Sequence, residues 1–254
     1  MLNRLISLLQ RKGEMRSLTR RRFMHWVVAV VGVVIAACTP PRLPGGTGSN
    51  GEISLQNENN PPSKPKWNVR YYKPFRPVDS TTWRLKVEGL VENPGEFSLQ
   101  EIQTWPSISQ VSRLMCVEGW SSKAKWLGFN YQTLAEIVRP KPEAKWLSFE
   151  CADAYFEFLA IEEISQPRVL FVHGMDGEQL PTLFGAPLRV ICPFKYEYKG
   201  PKAITTIRFE ERGGRGYWSI VGPYSTDGTV QTGVDRPVDL GDLRTIPGGE
   251  VTEY

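Results

Sequence analysis

Arg113-Leu114-Met115-Cys116-Val117-Glu118-Gly119-Trp120-Ser121 sets a thiol at the end of a short, mostly apolar run. An acid, a glycine, a tryptophan and a serine follow at once. Gln110 to Cys116 reads as a strand, and the glycine beyond it marks a turn. A thiol at a strand end beside such a turn is expected to lie open to whatever fills the adjacent cleft. On spacing alone a structural cysteine is the better reading of Cys116, with a metal ligand as the alternative. Arg113 stands three residues before the thiol; on a strand that odd offset points it the other way, so it is not assigned to a substrate.

Upstream of this stretch, Trp83-Arg84-Leu85-Lys86-Val87-Glu88 alternates apolar and charged residues, the pattern of a half-buried strand. Glu92-Asn93-Pro94-Gly95 is a turn, and Ser98-Leu99-Gln100-Glu101 has capping-box spacing for a short helix that stops before Pro106. Downstream, Asn130 caps a helix that carries Leu134, Ile137 and Val138 on one face and ends at Pro140. Leu147, Phe149 and Cys151 alternate along another strand. Val169 to Val172 runs into a Gly174-Met175-Asp176-Gly177 turn, and Leu188 to Cys192 is a buried strand stopped by Pro193. Ile204 to Glu210 is the last clear strand, and the Gly-, Asp- and Pro-rich remainder is expected to be extended. Many short strands and few short helices give an α+β or mostly-β domain with much irregular backbone.

The 254 residues carry a formal charge of +4, and that surplus sits in one place. Residues 1–37 hold seven Lys or Arg (Arg4, Arg11, Lys12, Arg16, Arg20, Arg21, Arg22) against one acid, Glu14. The remainder is therefore about −2, which gives no bulk case for nucleic-acid binding. Thr19-Arg20-Arg21-Arg22-Phe23-Met24 resembles a twin-arginine export motif. Trp26 to Ala37 is an apolar run of a dozen residues, short of the ~20 that a spanning helix needs. An uncleaved basic anchor is the other reading. Ile35-Ala36-Ala37-Cys38 resembles a lipobox, with Cys38 as the lipidated first residue of the mature protein; cleavage at a nearby small-residue site is the alternative. Residues 38–66, with Pro40-Pro41, Gly45-Gly46 and Asn59-Asn60-Pro61-Pro62, read as a flexible linker. Residues 67–254 are the folded domain. The twin-arginine route carries proteins that are already folded, which suits an enzyme that loads a complex cofactor before export.

Histidine is scarce. Outside the leader only His173 remains, which excludes multi-histidine zinc sites, H-E-x-x-H chemistry and bis-histidine haem. His173 leads into a turn and reads as structural. With Cys38 lipidated, Cys116, Cys151 and Cys192 remain, so at most one disulfide forms among them. Cys151 and Cys192 both end apolar strands, as a bridged pair or as two inert buried thiols, the second preferred. Gly213-Gly214-Arg215-Gly216 lacks dinucleotide-binding spacing, and no G-x-S-x-G occurs.

Cys116-Val117-Glu118-Gly119-Trp120-Ser121 resembles the cysteine segment of the sulfite oxidase family of molybdopterin oxidoreductases, particularly its bacterial haem-free members. An ordered set of segments extends the resemblance over the folded domain. It comprises Trp83-Arg84-Leu85 through Gly89-Leu90-Val91, Trp126-Leu127-Gly128-Phe129, Gly185-Ala186-Pro187-Leu188-Arg189, Tyr198-Lys199-Gly200-Pro201-Lys202 and Gly216-Tyr217-Trp218. The resemblance implies a sulfite-oxidase-type α+β domain with several short mixed β-sheets, binding a molybdenum–molybdopterin cofactor. Cys116 would give its thiolate to the metal; a soft thiolate suits it. Asn68, Tyr71 and Tyr72 would contact the pterin, with Cys151 standing where relatives often place threonine. Arg189 would hold the cofactor phosphate or the pterin edge. Gly200, Pro201 and Lys202 would line the phosphate. Without the resemblance, Arg189 reads as a strand-edge surface charge, and Lys199 and Lys202 as solvated loop residues.

The activity so implied is a two-electron oxo transfer on a small molecule, either sulfite oxidation or sulfoxide reduction. The cofactor supplies the chemistry and the protein supplies position. An external electron partner is expected, a membrane haem protein or a soluble cytochrome, with the enzyme exported and tethered to a membrane surface by its lipid. The sequence closes soon after Trp218, so no Ig-like dimerisation domain or haem domain is expected. The alternative is a membrane-tethered lipoprotein binding module that keeps the fold without the metal. Phe184, which cannot donate a hydrogen bond before Gly185-Ala186-Pro187, is the residue consistent with it. An extracytoplasmic thiol redox protein using Cys116 is a third reading, without the usual C-x-x-C.

Overall fold

The computed structural model describes residues 77–252 and, before them, the backbone of two short paired strands, β1 (Ile53–Ser54) and β2 (Asn68–Val69). The leader, Cys38 and the Tyr71-Tyr72 pair lie outside the described residues.

Two sheets organise the domain. The five-stranded sheet runs in the order β4 (Gly95–Ser98), β3 (Arg84–Gly89), β12 (Ile204–Glu210), β7 (Trp146–Cys151), β8 (Phe156–Ala160). Only β12 and β3 are parallel within it. The second sheet is built on β6 (Trp120–Phe129). One edge of β6 pairs with β5 (Ile108–Met115) from Gly128 back to Ser121. Its other edge takes β9 (Leu170–Met175) at the C-terminal half and, in parallel, β13 (Gly233–Pro237) at Trp120 and Ser121. The short strands β10 (Glu178–Gln179), β11 (Arg189–Ile191) and β14 (Arg244–Ile246) complete it. This mixed-sheet α+β architecture is the expected class.

The local signals act as the sequence predicts. Ser98 caps helix α1 (Leu99–Gln103): its hydroxyl accepts from the Glu101 amide while the Glu101 carboxylate accepts from the Ser98 amide. Asn130 caps α2 (Tyr131–Val138), whose Tyr131, Leu134 and Val138 are buried and whose last turn closes on Arg139 in the left-handed region. Two further one-turn helices, α3 (Ile161–Ile164) and α4 (Tyr217–Val221), lie outside the sheets.

Strands also lie where the sequence marked none. The residues after the Gly119 turn begin β6, the longest strand described. Its alternation shows only from Ala124 onward, since Ser121 and Ser122 are buried polar residues that mask the period. Ile204–Glu210 is not the last strand. The Gly- and Asp-rich end folds into the β13–β14 hairpin, pinned by contacts that no local pattern announces.

The second sheet is buried on both faces around β9 and β11. Phe171 and Val190 face the main core, where Phe171 stacks on Phe129 with centroids 5.0 Å apart. Leu170, Val172 and Ile191 face a second cluster with Leu114 and Trp126. Met115, on the opposite side from Leu114, joins Val230, Ile246 and Val251 in a third. Burial on both faces explains why Val169–Val172 and Leu188–Cys192 read as continuous apolar runs.

Candidate active site

Cys116 follows β5 directly, and a tight turn fixes it. Its amide donates to Trp120 O at 2.8 Å, and the Gly119 amide donates back to Cys116 O at 3.0 Å. Gly119 holds φ +84, a left-handed conformation that a side chain would strain. The thiol is less open than the sequence suggests: the residue keeps only 9 % of its surface exposed. Sγ donates to Glu118 Oε2 at 3.8 Å, and the Trp120 indole N–H donates to the same oxygen at 3.2 Å. The turn therefore presents a sulfur, a carboxylate and an indole together.

Cys116 stands two residues beyond Leu114 and so continues the face of β5 that carries Leu114 and the Trp126 cluster. Arg189 reaches the same cluster from β11. Its guanidinium lies 5.4 Å from the Trp126 ring centroid, Nη1 donates to Phe184 O at 3.1 Å, and Nη2 pairs with Glu197 Oε1 at 2.8 Å. Arg189 is 1 % exposed, so it is not a strand-edge surface charge. Glu197 follows Tyr196, which bridges in parallel to Met115. Through that bridge the chain segment carrying Glu197 runs beside the end of β5.

Lys202 enters beside Arg189. Burial, and next the Arg189 charge, push its pKa down to about 8, with Glu197 and Asp153 acting in the opposite sense. Gly200 and Pro201 are buried. A Cβ on Gly200 would stand 2.9 Å from Val190 O and 3.5 Å from Arg189 Nη2, so glycine there lets the guanidinium lie against the turn. Pro201 O accepts from the Val190 amide at 3.0 Å. Cys151 is buried close by, and burial followed by Asp153 raises its thiol far above the ordinary range. Lys199 belongs elsewhere: it is a buried partner of Glu157, at 2.6 Å, and not a solvated loop residue. Cys116, Cys151 and Cys192 are all free thiols, so the unbridged reading of the last two holds. His173 is a buried strand residue, its pKa lowered by desolvation.

The arrangement suits an anionic cofactor. Two cations, Arg189 and Lys202, are close enough to raise each other's electrostatic cost, and Arg189 Nε is buried with no hydrogen-bond partner. Buried donors of this kind stand ready for an acceptor. Among the described residues no three His, Cys, Asp or Glu side chains converge on a common point. The backbone of Asn68 lies on β2, paired with Ser54. Sequence reasoning missed Glu197, Trp126 and Glu118 as site residues. Glu118 stood inside the quoted stretch, but Glu197 meets Arg189 only because a proline-led turn folds the chain back, and no spacing rule signals that.

Comparison with known proteins agrees with this geometry. The family model described as the oxidoreductase molybdopterin binding domain matches residues 72–218. The chain is 35 % identical over 187 residues to the protein-methionine-sulfoxide reductase catalytic subunit of Ralstonia nicotianae, covering 66 % of this chain and 56 % of that protein. It is 36 % identical over 173 residues to the subunit of the same name from Burkholderia mallei, covering 61 % and 52 %. The chain thus spans about half the length of these relatives. Among solved structures, the sulfane dehydrogenase SoxCD of Paracoccus pantotrophus shares the fold with a TM-score of 0.55 at 17 % identity, over 71 % of this chain and 49 % of that one. With the cysteine turn, the paired cations and the match over residues 72–218 in hand, the chain belongs to the oxidoreductase molybdopterin binding domain family.

Proposed function

We propose that this chain is an extracytoplasmic, lipid-tethered oxidoreductase that binds molybdenum–molybdopterin and reduces sulfoxides with electrons from an external haem-bearing donor. When bound, the cofactor supplies two-electron exchange and oxygen-atom transfer. The reaction balances as a sulfoxide plus two electrons and two protons giving a sulfide and water; the S–O bond breaks. Cys116 holds the metal. Arg189 and Lys202 receive the anionic part of the cofactor, Gly200 and Pro201 give it backbone to lie on, and Cys151 packs beside it. Asn68, Tyr71 and Tyr72 are assigned to the pterin by the family pattern alone. Export and tethering rest on the twin-arginine-like Thr19–Met24 and on Cys38.

One observation carries the choice of substrate: the charge set against Cys116 Sγ is negative. Glu118 Oε2 lies 3.8 Å from the sulfur, while Arg113, three residues back, is fully buried and held by Asp239. Sulfite, an anion, is repelled by such a carboxylate; a neutral sulfoxide is not. The names of the relatives from Ralstonia nicotianae and Burkholderia mallei support the same choice. Phe184 O accepts from Arg189 Nη1 and its side chain packs against the Trp126 cluster; the metal-free module is the reading to which a parent without metal would lead.

The test is direct. The full chain is purified folded from a host that makes the cofactor, and molybdenum and pterin are measured in the parent and in Cys116→Ala. Dimethyl sulfoxide reduction with reduced methyl viologen is compared with sulfite oxidation. Metal near one per chain and sulfoxide turnover in the parent, both lost or altered in the variant, are expected. Absence of metal in the parent overturns the proposal.

A further inference from the structure

Ser121 and Ser122 are neighbours on β6, and neither has any exposed surface. The pleat sends them to opposite faces. Ser121 pairs with Met115 across the strands and shares its face with Arg113. Its hydroxyl is engaged there, accepting from Arg113 Nη1 at 3.2 Å and donating to Asp235 Oδ2 at 2.7 Å. Ser122 pairs with Leu114 and takes the other face. Its Oγ is buried without a hydrogen-bond partner.

That hydroxyl is out of place as core filler. A buried O–H left unsatisfied destabilises a fold, whereas an alanine in its place carries no such penalty. The face accepts alanine, because buried Ala124 holds its next position along β6. Arg113 and Asp235 each leave one atom unbonded too, but other polar atoms of both side chains are paired. In Ser122 the unserved atom is the whole polar content of the side chain.

The face from which Ser122 points is that of the candidate site. Ala124 and Trp126, at even spacing from it, join Leu114 in one cluster, against which Trp120, Phe184 and Ala186 pack. Cys116 lies two residues beyond Leu114 with its amide on Trp120 O, so Ser122 is its diagonal neighbour across the strand pair. Diagonal neighbours on an antiparallel pair stand about 7–8 Å apart, within reach of one group that touches both. Farther along the same face Arg189, whose Nε is likewise buried and unbonded, lies over Trp126. Cys116, Ser122 and Arg189 thus follow one another along one side of the sheet.

We propose that Ser122 is a cofactor-binding residue, its hydroxyl donating a hydrogen bond to the anionic, sulfur-bearing end of the molybdopterin beside Cys116. This rests on the reading that Cys116 holds the metal of that cofactor. An acceptor is what a lone buried O–H lacks, and dithiolene sulfurs are acceptors. A hydrogen bond given to atoms around a metal also disperses their negative charge and so favours the reduced metal. Ser122 would therefore fix the metal end of the cofactor while Arg189 and Lys202 take the phosphate end.

The test compares Ser122→Ala with Ser121→Ala in the full chain, purified loaded from a host that makes the cofactor and cofactor-free from one that does not. Ser122→Ala should raise the urea midpoint of the cofactor-free chain, where the hydroxyl has no acceptor, and lower that of the loaded chain. Ser121→Ala removes a satisfied hydroxyl and should lower both. Release of pterin from the loaded chain, followed as its fluorescent oxidation product, should be at least tenfold faster in Ser122→Ala than in the parent. The midpoint potential of the metal should move lower in Ser122→Ala and stay unchanged in Ser121→Ala. A Ser122→Ala midpoint that shifts in the same direction in both forms overturns the assignment, as do unchanged pterin release and potential in the loaded chain. A parent that takes up no molybdenum or pterin strikes instead at the proposed function, and takes this assignment with it.

Discussion

Arg113 has no exposed surface, yet it makes two parallel hydrogen bonds with Asp239, Nη1 to Oδ1 at 2.6 Å and Nη2 to Oδ2 at 2.7 Å. The two are 126 positions apart, and Asp239 lies beyond the matched residues 72–218. Nη1 also donates to Ser121, whose hydroxyl donates to buried Asp235, which in turn pairs with Arg244 at 3.0 Å. This network ties the β13–β14 hairpin to the strands on either side of Cys116. Removing Asp239 leaves a buried guanidinium without its charge partner, a loss of about 3 kcal/mol or more. Asp239→Asn is expected to lower the urea midpoint strongly, and Arg113→Met with Asp239→Leu to recover most of it.

The same pair sets an acid limit. Burial raises the Asp239 pKa, but its hydrogen bonds with Arg113 and that residue's charge outweigh this, so the carboxyl titrates below its ordinary 3.8. A depressed folded pKa contributes stability that is fully present above the unfolded value and lost as pH falls through the folded one. Stability of the parent should fall with acidification below about pH 4 more steeply than that of the Arg113→Met/Asp239→Leu variant. Parallel curves from urea titrations would refute the assignment.

Lys202 gives a slope of the opposite sense. Its folded pKa of about 8 lies below the ordinary 10.5, so between these values the unfolded chain binds more protons. Buried Cys151 and Cys192, whose thiols are held above their ordinary 9.0, act in the opposite sense above about pH 9, so the effect is read as a difference: the stability of the cofactor-free parent relative to Lys202→Met should rise as pH climbs from about 8 to 10.5. Cofactor retention should run the other way, with pterin content falling as pH passes through about 8 and the ammonium discharges.

Arg189→Lys tests the cation site. A lysine keeps the charge but loses the fork that bonds Phe184 O and Glu197 together, and the planar contact with Trp126. Stability should drop by about 1–3 kcal/mol, the range for a buried partner left unsatisfied. Bound pterin, measured as its fluorescent oxidation product, should fall further than that of Lys123→Ala at the periphery.

Glu118→Gln tests the choice of substrate. Removing an exposed charge about 4 Å from the sulfur is worth about 1 kcal/mol in water-like surroundings, several-fold in affinity. The KM for sulfite should fall several-fold while that for dimethyl sulfoxide changes little. Equal changes in both would remove the electrostatic argument.

Local chemistry made much of this fold legible. The Ser98–Glu101 capping box, the Asn130 cap, the alternation in Trp83–Glu88 and Leu147–Cys151, and the apolar runs of β9 and β11 all act through neighbours a few residues away. They form as their patterns predict. Strand β6 was hidden because its first residues, Ser121 and Ser122, are polar and buried, Ser121 serving Arg113 and Asp235 across the sheet. The β13–β14 hairpin was hidden because ion pairs hold it, and ion pairs leave no period. Of the residues proposed for the site, Cys116, Cys151, Arg189, Gly200, Pro201 and Lys202 were read from the family pattern. Glu197 was not, since its role exists only where a turn returns the chain to Arg189.

The segment from Arg113 to Ser121 marks the division. Sequence by itself determined a thiol at a strand end, a glycine that must turn there, a scarcity of histidine and a family pattern from which the thiol is proposed as a metal ligand. Only the tertiary structure decided that Arg113 belongs to Asp239 and that the charge beside the sulfur is Glu118. It also decided that Arg189 and Tyr196 approach from strands distant in sequence. Burial and charge pairing depend on which surfaces meet, and long-range contacts, not local spacing, determine that.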